Sequence, residues 1–310
     1  FKNVDEVNEK LALDFLIFST TDHERETLFA GIKQVRPGHF LKVTEAGVSE
    51  HKWWDYTPQL NKDITYEEAQ KELYSLFSRS IDLRLRSDVP VGVALSGGLD
   101  STSIACEIAR KLPENNDFHA FSAVYEEAEY SERQYVEDTI KQTHFTPHWI
   151  SPSIDVITKA FQNVLYHQEL PFCSLAIMMQ WFVMEEARKG SSTVVMLEGQ
   201  GSDEIFGGYT NQLITHCTEL IRSLHPWQAF KEAKALVGHG GITWNQAFRA
   251  LVKLPIRSAL GIEERYVTRD YLREPIKEPM QKPVSQDLFV SHLFSTLTFR
   301  ALPEYLRYSD

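Results

Sequence analysis

Cysteine is scarce: Cys106, Cys173 and Cys217 are the only three in 310 residues. They are odd in number, widely spaced and without CxxC spacing. That argues against a disulfide scaffold or a cysteine-held metal and fits a reducing cytoplasm. Long apolar runs are missing too. Nothing approaches the roughly 20 residues that cross a bilayer, so no membrane partner is expected. Positive charge is in the minority, with 32 Lys and Arg against 43 Asp and Glu, a formal −11. A general nucleic-acid surface is therefore disfavoured, while a local pocket for a small anion is not. The Walker pattern GxxxxGK[ST] is absent. There is no internal repeat and no low-complexity run. Phe1 opens no secretory pattern of basic, apolar and small residues. A chain that starts without Met and stops at Tyr308-Ser309-Asp310 reads as a fragment of a longer protein.

What is present is ordinary for a folded protein: 43% hydrophobic and 24% charged residues, enough for a sizeable core in one large domain or two smaller ones. Residues 1–60 differ from the rest. His39-Phe40-Leu41-Lys42-Val43 reads as a strand, Glu45-Ala46-Gly47 as a turn, and Val48 to Trp53 as a second strand, together a hairpin at the edge of a domain. Asp55 to Lys62 reads as a linker. Thr65 with Glu68 spells a capping box, and Ala69, Leu73, Leu76, Phe77 and Ile81 recur at helical spacing. That helix ends before Asp88-Val89-Pro90.

Strands and helices then alternate. Strands are expected at 91–95, 120–124, 147–150 and 193–197. Helices are expected around Ile104–Leu112, after a second capping box at Ser131 and Gln134, at 154–166, and at 174–189 with Gly190 as terminator. Beyond Tyr209 the chain reads as helical, broken at Pro226, Pro255 and Pro275. The alternation predicts an α/β fold, a mostly parallel doubly wound sheet with helices on both faces. Ligands of such sheets bind beyond the carboxyl ends of the strands.

The sharpest motif is Ser96-Gly97-Gly98-Leu99-Asp100-Ser101, which follows the first of these strands and opens a helix. Two glycines let the backbone turn tightly and approach an anion. Ser96, Ser101 and Thr102 add hydroxyls, and the helix start offers N–H groups with a positive dipole end. Asp100 would repel phosphate unless a divalent cation lay between them, and Mg²⁺ shared by carboxylate and phosphate oxygens is the natural occupant. A glycine-rich turn without ligand is the plain alternative. The fourth strand ends in Glu198-Gly199-Gln200-Gly201-Ser202-Asp203-Glu204-Ile205-Phe206-Gly207-Gly208-Tyr209, again glycines followed by paired acids. If both loops share one sheet edge, Asp100 and Asp203 would share a magnesium ion, which removes their mutual repulsion. Here the plain alternative is a turn with solvated or helix-capping acids.

The first string resembles the pyrophosphate-binding loop of the ATP pyrophosphatase superfamily. The second resembles the G-E-G-[AS]-D-E-[LIV]-F-G-G-Y signature of the glutamine-hydrolysing asparagine synthetase family. Three flanking stretches are similar to the family as well: Thr27 to His39 with Trp53-Trp54, Arg84 to Gly92, and Leu306 to Asp310. The resemblance implies an adenine nucleotide alpha hydrolase-like domain over residues 61–310, cut short at its carboxyl end, with a helical C-terminal part. Residues 1–60 would be the last part of an Ntn-type glutamine amidotransferase domain. It implies ATP-binding positions at Leu95, Ser96, Gly97, Gly98, Leu99, Asp100, Ser101, Val124, Glu198 and Gly199. Asp100 and Asp203 would be metal ligands. Asp100, Gln200, Asp203 and Glu204 would be catalytic, with Glu204 orienting its loop. The implied partners are ATP, Mg²⁺, a carboxylate such as aspartate, and ammonia from glutamine. A homodimer is an option.

Three departures qualify this. The family's first acidic residue of the second loop is a glutamate, and here it is Gln200. An amide takes no proton at neutral pH, so general-base help of about 10²–10⁴-fold is lost there unless Glu198 substitutes. This leaves open a tailoring amide ligase, a lasso-peptide-type cyclase, or a nucleotide-binding relative without catalysis. Phe1 is not the family's N-terminal nucleophilic cysteine, and its catalytic lysine would lie beyond residue 310, since Lys253 and Lys277 are poor substitutes. Among secondary candidates, Arg133 and Lys141 read as solvated rather than phosphate-bound. His148 reads as either structural or pocket-lining, and Glu169 as either substrate-facing or loop packing. Glu132 has a family match near the nucleotide, and Cys106 and Cys173 are expected to be buried.

Overall fold

The computed structural model describes residues 6–56, 58–61, 63–113, 116–125, 132–238, 243–248, 251–252, 266–267, 276–277, 285, 287–300 and 302–309. These fall into two compact units: Phe1–Gln59 with Gly201–Leu306, and Leu60–Gln200 with Arg307–Asp310.

The first unit begins with α1 (Glu9–Phe18), capped by the Asn8 side chain on the Leu11 N–H and closed by Ser19 in the left-handed conformation. The expected hairpin is present as β1 (His39–Thr44) and β2 (Gly47–Lys52), antiparallel from His39↔Lys52 to Thr44↔Gly47. Gly47 turns it at φ 130°, a conformation that L side chains rarely adopt.

The second unit opens with α2 (Tyr66–Arg84). The Thr65 hydroxyl accepts from the Glu68 N–H at 3.3 Å, and Glu68 Oε2 accepts from the Thr65 N–H at 3.0 Å, the reciprocal cap read from the sequence. Then come β3 (Val91–Ala94), α3 (Leu99–Lys111), β4 (His119–Ala123), α4 (Arg133–Thr143), β5 (Thr146–Ile150), α5 (Ile154–Gln168), α6 (Leu175–Gly190) and β6 (Val195–Leu197). Ser153 and Ser174 cap α5 and α6. The four strands form one parallel sheet in the order β5-β4-β3-β6. The inner face of α2, α3 and α4 (Ile81, Ile104, Ala105, Ile108, Val136) packs with Val93, Leu95, Ala120 and Leu197. On the opposite face α6 supplies Phe182, Val183 and Ala187 against Phe121 and Ile150. Helices therefore cover both faces, as expected of a buried parallel sheet.

Three local expectations need correcting. Gly190 is the last helical residue of α6 rather than a left-handed terminator, and Ser191 is the cap. Its smallness serves another purpose, because an added Cβ would lie 2.7 Å from the Glu186 carboxyl carbon. The fourth strand starts at Val195, not Thr193, because the N–H groups of Val194 and Val195 both turn to the single carbonyl of Pro90. Cys173 is exposed and Cys106 half-buried, and Cys217 is the buried thiol. In the turn before α6 it is Phe172 that packs inward, leaving Cys173 outside. A fourth expectation, the capping box of Ser131 with Gln134, falls on Ser131, which lies outside the described residues; Glu132 is the N-cap residue of α4.

The first unit resumes with α7 (Ser202–Phe206), α8 (Thr210–Arg222), α9 (Pro226–Gly238), α10 (Trp244–Phe248), the short pair β7 (Tyr266–Val267) and β8 (Ile276–Lys277), and α11 (Leu288–Ser295), which runs into a π-turn at Thr296–Arg300. Pro226 begins α9, where its missing N–H costs nothing. Pro255, Pro275 and Lys253 lie outside the described residues. The last helix is α12 (Leu302–Ser309). Among the described residues no helix is long and apolar enough to cross a membrane.

Candidate functional site

The strand order reverses between β3 and β6: from β3 the chain builds outward through β4 and β5, then returns to add β6 on the other side. Such a switch point opens a crevice at the carboxyl edge, where doubly wound sheets bind ligands. The first string follows β3, and Glu198-Gly199-Gln200 follows β6. The two loops therefore meet across neighbouring strands. A Cβ placed on Gly199 would stand 3.0 Å from Asp100 Cβ and 3.1 Å from the Ser101 nitrogen. The backbone at Gly199 lies directly on the first turn of α3, and only glycine leaves that approach open.

The β3 loop is held from within. Ser101 Oγ accepts from the Ser96 N–H at 3.2 Å, lies 3.0 Å from Ser96 Oγ, and donates to the Gly98 carbonyl at 3.3 Å. Ser96 Oγ accepts from the Gly98 N–H at 3.3 Å. The two hydroxyls thus serve the loop's shape as well as any ligand. Gly97 sits at φ 89°, with Glu132 O and Tyr135 Cβ 3.1 and 3.2 Å from where its Cβ would be. Gly98 begins α3 with no side-chain cap, so the first turn keeps its anion-seeking character. Asp100 is half-buried in that turn, while Leu99 is 83% exposed.

Leu95, Val124 and Glu198 are each the first residue beyond β3, β4 and β6, so a parallel sheet brings all three to one edge. The N–H groups of Leu95 and Val124 already donate to Phe121 O (2.8 Å) and Ile150 O (2.9 Å). Ser122 Oγ donates to the Leu95 carbonyl at 2.6 Å from a buried position. Sequence reading missed Ser122, although one hydroxyl between Phe121 and Ala123 in an apolar strand was the available signal. Gln200 is exposed at the end of this unit, and Glu198 is half-buried.

Asp203 and Glu204 belong to the other unit, in α7. Glu204 is 1% exposed, and its Oε1 accepts from the Tyr209 hydroxyl at 2.7 Å. Burial, and then Glu204, hold the Tyr209 phenol far above its ordinary range, so it stays a neutral donor.

The secondary candidates fall elsewhere. Arg133 pairs with Glu137 at 2.8 Å and lies 4.8 Å over the Trp149 ring. Lys141 pairs with Asp138 at 2.8 Å. His148 contacts His119 at 2.9 Å and Glu186 at 3.3 Å on the α6 side of β5. Glu169 is the left-handed cap of α5. One group of possible metal ligands was not foreseen: Asp14, His23 and Glu24. The Lys10 ammonium already bonds Glu24 and lies 3.9 Å from Asp14, and His23 Nε2 lies 3.1 Å from Asp14, so these carboxylates are engaged within the fold.

The glycine loop after β3 meets the Glu198-Gly199-Gln200 turn after β6 at one edge of a parallel sheet, and the comparison with family models decides the lineage: the asparagine synthase model matches residues 72–303. The chain belongs to the asparagine synthase family. It is 30% identical over 197 residues to a candidate glutamine-hydrolysing asparagine synthetase 2 of Methanocaldococcus jannaschii, covering 62% of this chain and 36% of that protein. It is 29% identical over 228 residues to asparagine synthetase 3 (glutamine-hydrolysing) of Bacillus subtilis, covering 67% and 34%. It is also 27% identical over 202 residues to amidase chyE of Penicillium rubens, covering 60% and 30%. The chain spans about a third of the length of these relatives. Family members thus include proteins named for different products, and the site must carry any further argument.

Proposed function

We propose that this chain carries the adenylating half of an ATP-dependent carbon–nitrogen ligase, with aspartate as its carboxylate and glutamine-derived ammonia as its nucleophile. The observation that carries the reading is the contact of Gly199 with Asp100 and Ser101 across the switch point. It brings a glycine loop suited to phosphates and the start of an acidic loop to one edge.

The residues fit a magnesium nucleotide. The loop is lined by Gly97 and Gly98, and an added Cβ at Gly98 would meet nothing closer than Ser96 Oγ at 3.4 Å. The uncapped start of α3 attracts anions, and Asp100 supplies a hard oxygen ligand beside it. The family resemblance assigns Asp203 as the residue that would serve as second ligand. Bound magnesium would supply charge neutralisation for the departing pyrophosphate.

In the proposed reaction the substrate carboxylate attacks the α-phosphorus of ATP, giving acyl-AMP and pyrophosphate. Ammonia then displaces AMP to form the amide. The backbone of Ser96–Ser101 orients the phosphates, and the ends of β3, β4 and β6 at Leu95, Val124 and Glu198-Gly199 seat the nucleoside. Catalysis rests on alignment and on stabilising developing charge. Gln200 holds substrate by hydrogen bonds and takes no proton. Residues 1–60 are read as the last part of the glutaminase domain that supplies ammonia, and 61–310 as the synthetase domain. The working compartment is read as the cytoplasm, in keeping with three unpaired cysteines.

Asp100→Asn is expected to lower ATP–pyrophosphate exchange by roughly 10²-fold or more with the fold intact. Exchange at the wild-type rate would remove the magnesium assignment. A second reading, a different carboxylate, is favoured by Gln200. Exchange measured against aspartate and a panel of other acids separates the two.

A further inference from the structure

The second acidic loop ends in Gly207-Gly208-Tyr209, and each of the three residues has a separate physical reason. α7 is little more than one turn, closed by Gly207 at φ 82°, a conformation suited to glycine. A Cβ there would also strike the Phe289 ring at 2.9 Å. The N–H groups of Gly207 and Gly208 both donate to the Asp203 carbonyl, at 3.0 and 3.2 Å.

Gly208 is different. Its φ is outside the left-handed region and the residue is exposed, so neither backbone strain nor a packed core demands glycine. What occupies the space is the Asp203 side chain. An added Cβ would fall within the carboxylate, overlapping Oδ1 and standing 2.7 Å from Cγ. The carboxylate of Asp203 therefore lies against the bare face of Gly208.

Tyr209 holds the other end of this turn. Its hydroxyl donates to buried Glu204 Oε1 at 2.7 Å, and its N–H donates to Gln212 Oε1 at 2.9 Å. Gln212 is fully buried and donates through Nε2 to Thr296 Oγ1 at 3.1 Å. Glu204 is the N-terminal anchor and Gln212 the C-terminal one. The segment between them, with Asp203 folded over it, is fixed at both ends.

We propose that Gly208 and Tyr209 are positioning residues for Asp203: the missing side chain at 208 sets the carboxylate's rotamer, and the Tyr209–Glu204 hydrogen bond keeps residue 208 beneath it. The inference rests on the reading of Asp203 as a magnesium ligand. It assigns the second glycine of the loop a role in metal affinity rather than in folding. Because the overlapping atoms are the far end of a rotatable side chain, alanine at 208 can be accommodated by turning Asp203 away. The chain folds, and the ligand is lost from its place.

The test uses the full-length protein and follows ATP–pyrophosphate exchange across a magnesium titration, with melting temperature in parallel. Gly208→Ala is expected to raise the half-saturating magnesium concentration by about tenfold or more while the melting temperature stays within about 2 °C. Tyr209→Phe, which adds no atom, is expected to raise it by a smaller factor, and it serves as the second arm should the alanine variant fold poorly. A merely structural role would lower the melting temperature and leave the magnesium midpoint unchanged. Asp203→Asn is the control on the underlying reading. If Asp203→Asn weakens magnesium use and both other variants keep the wild-type midpoint, the positioning role is wrong while the ligand assignment stands. If Asp203→Asn itself keeps the wild-type midpoint, the ligand assignment is wrong and the positioning role falls with it.

Discussion

Replacing Gly199 by alanine tests the convergence of the two loops with a single methyl group. Carbon atoms at rest stand roughly 3.5–4.0 Å apart, whereas the new Cβ would meet Asp100 Cβ at 3.0 Å and the Ser101 nitrogen at 3.1 Å. Both neighbours belong to the first turn of α3, so no flexible side-chain tip can swing aside. Gly199 is not at positive φ, so the backbone itself accepts alanine and the wedge is the whole effect. The neighbours must give by a few tenths of an ångström, and overpacking of this kind costs about 1–3 kcal/mol. A displacement near 1 Å at a reacting centre can cost about 10²-fold in rate. The expected outcome is an ATP–pyrophosphate exchange rate lowered by between about 10- and 10²-fold, a raised KM for ATP, and a modest fall in melting temperature. The assay is exchange kinetics at saturating magnesium, with ATP affinity measured separately by calorimetry. Wild-type kcat and KM in a folded Gly199→Ala protein would refute the claim that this contact shapes the nucleotide site.

Two further outcomes follow from the same geometry. Gly97→Ala forces a left-handed conformation that costs an L residue about 1–2 kcal/mol and crowds Glu132 and Tyr135; ATP affinity measured by calorimetry should fall about tenfold or more, and unchanged affinity would exclude the loop as a phosphate cradle. Glu107 is buried between α2 and α3, where burial alone would raise its carboxyl. The hydrogen bonds from Ser78 (2.6 Å), Lys111 and Tyr74 outweigh burial and hold it below the usual glutamate range. A depressed folded value means stability that is present above the unfolded pKa and lost as pH falls through the folded one. Glu107→Gln should therefore cost about 1–3 kcal/mol at neutral pH, with the gap to wild type narrowing below about pH 4 in a denaturant series.

The α/β alternation was legible because burial on both faces of a parallel sheet leaves short apolar runs between amphipathic helices, and because Thr65 with Glu68 carries its capping chemistry in the sequence itself; the caps Ser153 and Ser174 went unread. That the ends of β3 and β6 share one edge was open to expectation from a parallel sheet, but that the two strands are neighbours was not read from the sequence. What was not legible depended on partners distant in the chain. Gly190 looks like a terminator, yet it is small because Glu186 lies over it. Val194 looks like strand, yet its N–H shares the Pro90 carbonyl with Val195. Ser96 and Ser101 look like phosphate donors, and no pattern of residue types reveals that their hydroxyls also bond one another. Nor could Cys173 be assigned outward, since spacing does not say which of Phe172 and Cys173 turns in.

Both loops hold their shape by means that leave side-chain chemistry free to vary. In the first, Ser101 and Ser96 tie the backbone and Gly97 supplies the turn. In the second, Glu204, Tyr209 and Gln212 fix the segment that carries Asp203. Gln200 belongs to neither set of ties and is exposed at the edge of its unit. A change from carboxylate to amide there alters what the site can protonate without disturbing the cradle. Proteins named asparagine synthetase and a protein named amidase both match this chain, at 27–30% identity. In the proposed reaction residue 200 would stand at the step where the nucleophile loses its proton, so on that reading its identity bears more directly on substrate than the overall resemblance does.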